Sequence, residues 1–157
     1  MKILDVCCGS KMFWFDKDNK DTTFCDLWPR YDELESGHKI DVKPDYIADF
    51  RDLPFEEQTY DLVVFDPPHL IKAGETSWLA KKYGKLNRET WQDDLLQGFN
   101  ECCRVMKQNA TLIIKWNEEQ VSIGEIKKII SKTGLNMLFG NQRGKTHWIV
   151  LCKKEVK

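Results

Sequence analysis

Apolar positions along the chain follow two periods. Short β-branched or apolar runs occupy Ile3–Cys7, Thr22–Leu27, Tyr46–Asp49, Tyr60–Phe65 and Thr111–Trp116, which predicts five strands. Gly9-Ser10 stops the first and Trp28-Pro29 the second, both turn signals. The fourth, Tyr-Asp-Leu-Val-Val-Phe, is apolar on both faces, as a central parallel strand covered by helices should be. Helical spacing appears from Arg88 to Met106, where Trp91, Leu95, Phe99, Cys102 and Cys103 recur every three or four residues, and again from Ser122 to Lys132, where Ile123, Ile126, Ile129 and Ile130 share a side. Gly134 is the stop signal of this second helix. Two last strands are expected at Met137–Phe139 and Trp148–Cys152, with Gly140–Lys145 as a polar hairpin loop. Arg30–Asp45 is weakly helical, and Lys11–Lys20 has room for a turn or two of helix. Strands alternating with helices predict an α/β domain with a mostly parallel, mixed sheet of about seven strands ending in an antiparallel hairpin. No linker or repeat divides the 157 residues, so residues 1–157 read as one domain.

Charge and cysteine usage narrow the setting. Acids and bases nearly cancel, for a net charge of −1, so any surface for nucleic acid must be local. Four of the six cysteines form the adjacent pairs Cys7-Cys8 and Cys102-Cys103. No Cys-x-x-Cys occurs and the histidines are scattered, which speaks against a disulfide framework or a metal site. Free thiols point to a reducing, cytoplasmic setting. The chain opens on a strand pattern with no signal peptide, and no apolar run nears the ~18 residues of a membrane span.

Ligands of an open α/β sheet bind beyond the carboxyl ends of its strands, and four strands carry polar residues there. The first runs into Asp5-Val6-Cys7-Cys8-Gly9-Ser10, a tight turn with Gly9 where backbone would approach a ligand. Asp26 ends the second, about twenty residues on, where an acid can accept both hydroxyls of a ribose. Asp49 ends the third, placed to accept from an adenine amine, with Leu53-Pro54-Phe55 packing beneath. The fourth runs into Asp66-Pro67-Pro68-His69. Its prolines stiffen the backbone and remove N–H groups. Asp66 and the Pro67 carbonyl then form two fixed acceptors for the two donors of an –NH2 group, and His69 can stack on a flat base. Positive charge developing on an attacking nitrogen would be stabilised by that carboxylate and dipole.

These segments together resemble the class I S-adenosylmethionine-dependent methyltransferases. Asp49–Phe55 followed by Tyr60-Asp61-Leu62-Val63-Val64 resembles that family's D-x-x-x-L-P-F…F-D-x-V stretch. Asp66-Pro67-Pro68-His69 is similar to the [Asp/Asn/Ser]-Pro-Pro-[Tyr/Phe/Trp/His] signature of its amino-methyltransferases. The resemblance implies a Rossmann-like methyltransferase fold and S-adenosyl-L-methionine as cofactor. It implies that Asp5, Cys7 and Gly9 hold the methionine part, Asp26 with Leu27 the ribose, and Asp49 with Phe50 the adenine. Asp66, Pro67, Pro68 and His69 would form the catalytic acceptor site, with Asp66 also bordering the cofactor. The family's Gly-x-Gly-x-Gly is replaced here by Cys7, Gly9 and Lys11. Met12-Phe13-Trp14-Phe15 would either cover the cofactor or plug the sheet.

The segment Leu70–Leu86 suggests the acceptor. It interleaves Lys72, Lys81, Lys82 and Lys85 with Trp78 and Tyr83, a pattern that suits phosphates and stacked bases. Arg143 extends it from the hairpin loop. The expectation is a methyltransferase acting on the exocyclic amine of a nucleobase in DNA or RNA. A duplex target would have to be flipped out, and a partner subunit would help to supply target recognition. Two other readings stay open: a methyltransferase for protein side chains or small molecules, and a degenerate cofactor-binding subunit. A dinucleotide oxidoreductase lacks its Gly-x-Gly-x-x-Gly. Lys115, Asp61 and His69 are all possible proton acceptors.

Overall fold

A computed structural model describes residues 1–33, 37, 39–74, 80 and 84–154. Its strands are β1 (Ile3–Asp5), β2 (Thr22–Asp26), β3 (Arg30–Glu33), β4 (Lys39–Val42), β5 (Tyr46–Ile47), β6 (Tyr60–Phe65), β7 (Met106–Asn117), β8 (Leu135–Arg143) and β9 (Thr146–Lys153). Helix α1 (Trp91–Val105) lies between β6 and β7, and α2 (Ile123–Ser131) between β7 and β8. Seven strands form one sheet in the order β5-β2-β1-β6-β7-β9-β8. The first five of that order run parallel, whereas β9 is antiparallel to both β7 and β8. The predicted mixed α/β sheet with its closing hairpin is therefore present.

Period-two burial decides what lies on each face. Ala110, Leu112, Ile114 and Trp116 of β7 point into the core that α1 and α2 close. Leu95, Phe99 and Cys102 of α1 meet Val63 and Phe65 there, and Ile126 and Ile130 of α2 join them. Ser122 caps α2, its hydroxyl accepting from the Glu125 N–H at 3.4 Å. On the opposite face Leu62, Ile113, Trp148 and Val150 remain half-buried. Trp14 covers part of this face, edge-on to Phe24 at 5.2 Å, and Phe13 packs edge-on to Trp148 at 5.5 Å.

Two expectations are corrected. The described residues of Arg30–Asp45 are not helical: β3 and β4 form an antiparallel pair of their own. In Lys39-Ile40-Asp41-Val42 the apolar positions alternate, and Ile40 and Val42 are each 1% exposed, which is a strand period. The Asp41 N–H donates to the Ser10 hydroxyl at 3.1 Å, tying the pair to the loop after β1. The polar loop Gly140–Lys145 shrinks to a turn at Gly144-Lys145, because β8 continues to Arg143. From Asn136 to Arg143 β8 is exposed throughout. It forms an outer edge of the sheet, with a bulge between Met137 and Phe139. Without a buried face it has no period to read in the sequence. No helix among the described residues is long and apolar enough to cross a membrane.

Candidate active site

The parallel strands bring the carboxyl ends of β1, β2 and β6 to one side of the sheet, and a cleft opens there. Including its open mouth and the solvent there, it encloses about 970 Å³. Cys7 and Gly9 line it from β1, Asp26 and Leu27 from β2, and Asp66 and His69 from β6. Pro67, Pro68 and Phe50, also expected from the sequence, line it too, as does Ala48, which was not. Met12 and Phe13 also line the cleft while Trp14 lies on the sheet. The aromatic segment thus packs on the sheet and borders the cleft.

The turn after β1 is built for a close approach. Gly9 has φ +50° and no atom within 4 Å of where a Cβ would stand, so the left-handed backbone alone selects glycine. Its N–H donates to Asp26 Oδ2 at 3.0 Å, locking the turn to the end of β2. Asp26 Oδ1 lies 3.6 Å from the Arg30 guanidinium. Lys11, in place of the third glycine, also adopts φ +53°. Its ammonium offsets the left-handed cost by donating to the Lys17 carbonyl at 2.9 Å and lying 3.7 Å from the Phe24 ring centroid.

Two of the carboxylates expected at the cofactor are engaged elsewhere. Asp5 is fully buried and does not line the cleft. Trp14 Nε1 donates to its Oδ2 at 2.7 Å, and its Oδ1 has no hydrogen-bond partner among the described residues. Burial pushes this carboxyl up to about 7, against the Trp14 hydrogen bond. Asp49 is clamped by Arg51, whose Nη2 donates to Oδ2 at 2.6 Å. That hydrogen bond holds Asp49 below the usual carboxylate range. Arg51 also reaches Asp94 of α1 at 2.9 Å. Asp49 therefore serves to pin its loop, and its neighbours Ala48 and Phe50 face the cleft. Gly98 of α1 makes room for that placement, since a Cβ there would stand 2.5 Å from the Phe50 ring.

Asp66 stands where two cavities meet. It lines the cleft and also a second hollow with His69, Leu70, Asn117 and Thr146. Lys115 Nζ donates to Asp66 Oδ2 at 2.6 Å. Burial raises the Asp66 carboxyl, and the ammonium of Lys115 opposes that rise. His69 is held below its ordinary value by burial and by the same ammonium. Its ring meets Trp116 edge-on at 6.4 Å. Of the three possible proton acceptors, Lys115 and His69 are at the site. Asp61 is at the other end of β6, accepting from the Lys2 N–H and from Lys107 Nζ, each at 2.7 Å.

The residues expected to meet the acceptor divide. Lys72 and Lys85 share a third hollow with Asn87 and Arg88, and Lys85 reaches the cleft too. Arg143 is exposed on the β8–β9 hairpin and lines none of these cavities. Trp78, Lys81 and Lys82 lie outside the described residues. The sequence did not single out Trp28 or Arg30, which also line the cleft. Both directly follow Asp26-Leu27, and chain proximity to that strand end was the available signal.

No family model matches the chain, and no curated protein matches it by sequence. Solved structures do. The PH0226 protein of Pyrococcus horikoshii superposes with a TM-score of 0.61 at 16% identity, over 98% of this chain and 82% of that one. A TehB-like S-adenosylmethionine-dependent methyltransferase of Corynebacterium glutamicum gives 0.59 at 16% identity, over 98% and 80%. The protein bound to the Trm112 methyltransferase activator in a Haloferax volcanii complex gives 0.61 at 14% identity, over 98% and 83%. The strand order and the antiparallel end pair are those of the Rossmann-like methyltransferase fold, and this chain has that fold.

Proposed function

We propose that the protein is an S-adenosylmethionine-dependent methyltransferase that acts on an amino nitrogen, the exocyclic amine of a nucleobase in DNA or RNA. The observation that carries this reading is the position of Asp66-Pro67-Pro68-His69, all four of which line the cleft while Asp66 and His69 also line the second hollow. The cleft suits the cofactor chemically. Asp26 retains lone pairs for a ribose diol beside the Gly9 N–H it already accepts. Leu27, Ala48 and Phe50 offer apolar surface to a purine. When bound, the cofactor supplies a methyl group already activated on sulfur.

The chain's own residues orient the acceptor. Asp66 and the Pro67 carbonyl accept the two N–H bonds of the amine and aim its lone pair, and His69 stacks on the base. Charge growing on nitrogen meets a carboxylate fixed before the reaction begins. Lys72, Lys85 and Arg88 around one hollow beside this loop favour a polyanionic acceptor over a neutral one. We place the reaction in the cytoplasm. A partner subunit that supplies target recognition is in keeping with the Haloferax relative, which pairs with an activator.

The test is incubation with methyl-labelled cofactor and total DNA, RNA or protein pools. Label in a methylated nucleobase is the expected outcome. Label confined to protein would overturn the acceptor. No label in any pool, with no calorimetric binding of S-adenosylhomocysteine, would overturn the enzyme.

A further inference from the structure

The register of β6 on β7 pairs Val64 with Ile113 and Phe65 with Ile114. One step further, it sets Lys115 beside Asp66. Lys115 points to the face away from the helices, as its half-buried neighbours Ile113 and Asn117 do. Its ammonium is confined from two sides. Trp148, its cross-strand partner on β9, has its ring centroid 5.8 Å away, and the Phe13 ring is 5.6 Å away. Within these walls it makes its 2.6 Å contact with Asp66. A lysine inside the apolar run Thr111–Trp116 is costly unless paired.

We propose that Lys115 is the positioning residue of the acceptor site: it binds one oxygen of Asp66, keeps the carboxylate ionised, and leaves the other oxygen for the incoming amine. This rests on the amino-methyltransferase reading above and gives that site its charge control. Asp66 receives an amine as an acceptor; once protonated, one oxygen carries a donor, and the acceptor capacity that remains is weaker and shared with Lys115. Its surroundings press toward protonation. Burial does so, while Asp5 at the end of β1 is itself raised by its own burial and, to a lesser degree, by Asp66. Cys7 in the loop after β1 is a half-buried thiol pushed well above its ordinary range by desolvation, so it brings no charge. Beside Asp66 in its own loop, His69 is biased to its neutral form. Glu119, beyond the end of β7 and at the rim of the second hollow, is paired with Lys145 at 2.5 Å. Among the described groups around Asp66, Lys115 is therefore the cation that opposes protonation. The direct contact of Lys115 with Asp66 assigns it to holding that carboxylate and not to deprotonating the amine.

The experiment follows the Asp66 carboxyl carbon by NMR across pH in the wild-type protein, Lys115→Met, Lys115→Gln and Lys115→Arg, using Asp66→Asn for assignment. In parallel, the pH profile of methyl transfer is measured into whichever pool the wild-type protein labels. In Lys115→Met and Lys115→Gln the Asp66 midpoint is expected to rise by more than about one pH unit. The acid limb of the rate profile should move with it, and the rate should drop about tenfold for each unit by which the midpoint passes the assay pH. Lys115→Arg keeps the charge and cannot act as a base, so it should retain the low midpoint and most of the rate. An unchanged midpoint in either folded neutral variant overturns the proposal. So does a Lys115→Arg protein with a normal midpoint but the rate of Lys115→Met, which would make the lysine a base. If the wild-type protein labels no pool, the parent reading fails, while the NMR titration still decides what Lys115 does to Asp66.

Discussion

The two faces of the sheet are built from the same strands and do opposite work. The face under α1 and α2 is closed and apolar, with Phe99, Leu112 and Ile126 each at most 1% exposed. On the other face Asp5, Lys115 and Trp148 project from strands β1, β7 and β9, with Asp66 just past the end of β6. There an aromatic plug does what helices do opposite. Along β7 and β9 the residues alternate between the faces, so neighbouring positions there serve the closed core and the side that carries the candidate site. Substitutions one residue apart should therefore separate folding from activity.

The largest expected effect is on the closed face. Phe99→Ala removes a ring packed edge-on against Phe65 at 5.3 Å and should cost about 3–5 kcal/mol in chemical denaturation. On the open side, Asp66→Asn keeps the shape and removes the charge. Methyl transfer should fall about 10²–10³-fold, with the midpoint of thermal unfolding nearly unchanged. A fall in stability to match the Phe99 variant would erase the distinction between the faces.

Asp5 sharpens the comparison, because it is a buried acid on the chemical face that does not touch the cleft. Its folded carboxyl titrates at about 7 against an ordinary value of 3.8. Between these values the folded protein holds a proton that the unfolded chain has lost, so stability should decline as pH rises from about 4 to 7. Asp5→Asn should flatten that decline, measured as unfolding free energy across the interval. A wild-type protein that gains stability over the same range would contradict the buried, protonated acid. The smallest effect belongs to Gly9→Ala. With nothing near the new methyl group, only the left-handed backbone penalty of about 1 kcal/mol should appear, together with weaker cofactor binding by calorimetry.

Much of this architecture could be read from residue order, for reasons that differ by element. Tyr60–Phe65 was legible because a strand buried on both sides is a continuous apolar run. Helix α1 was legible from its three- and four-residue spacing. The β3–β4 pair was missed because Arg30–Glu33 alternates between half-buried and exposed, a pattern too shallow to register, and masked the clear period of Lys39–Val42. At the site, Asp66–His69 was visible because two prolines after a buried strand have few structural uses. Asp49 looked equally suitable at its strand end. Its partner Arg51, two residues on, takes the carboxylate, and only three-dimensional geometry reveals that. Lys115 stood among three possible proton acceptors, but its partner lies 49 residues away in the chain. Sequence spacing could not connect the two before the strand register did.

The outer strand β8 has a further consequence. It presents a row of backbone groups to solvent, with Leu138 at 53% and Phe139 at 69% exposure. Such a border is a template for adding strands from neighbouring molecules. The bulge between Met137 and Phe139 interrupts that template. Crowding, heat or loss of the bulge would turn this border toward self-association, so the handling limit of the protein is set at the rim farthest from β5 and not in its core.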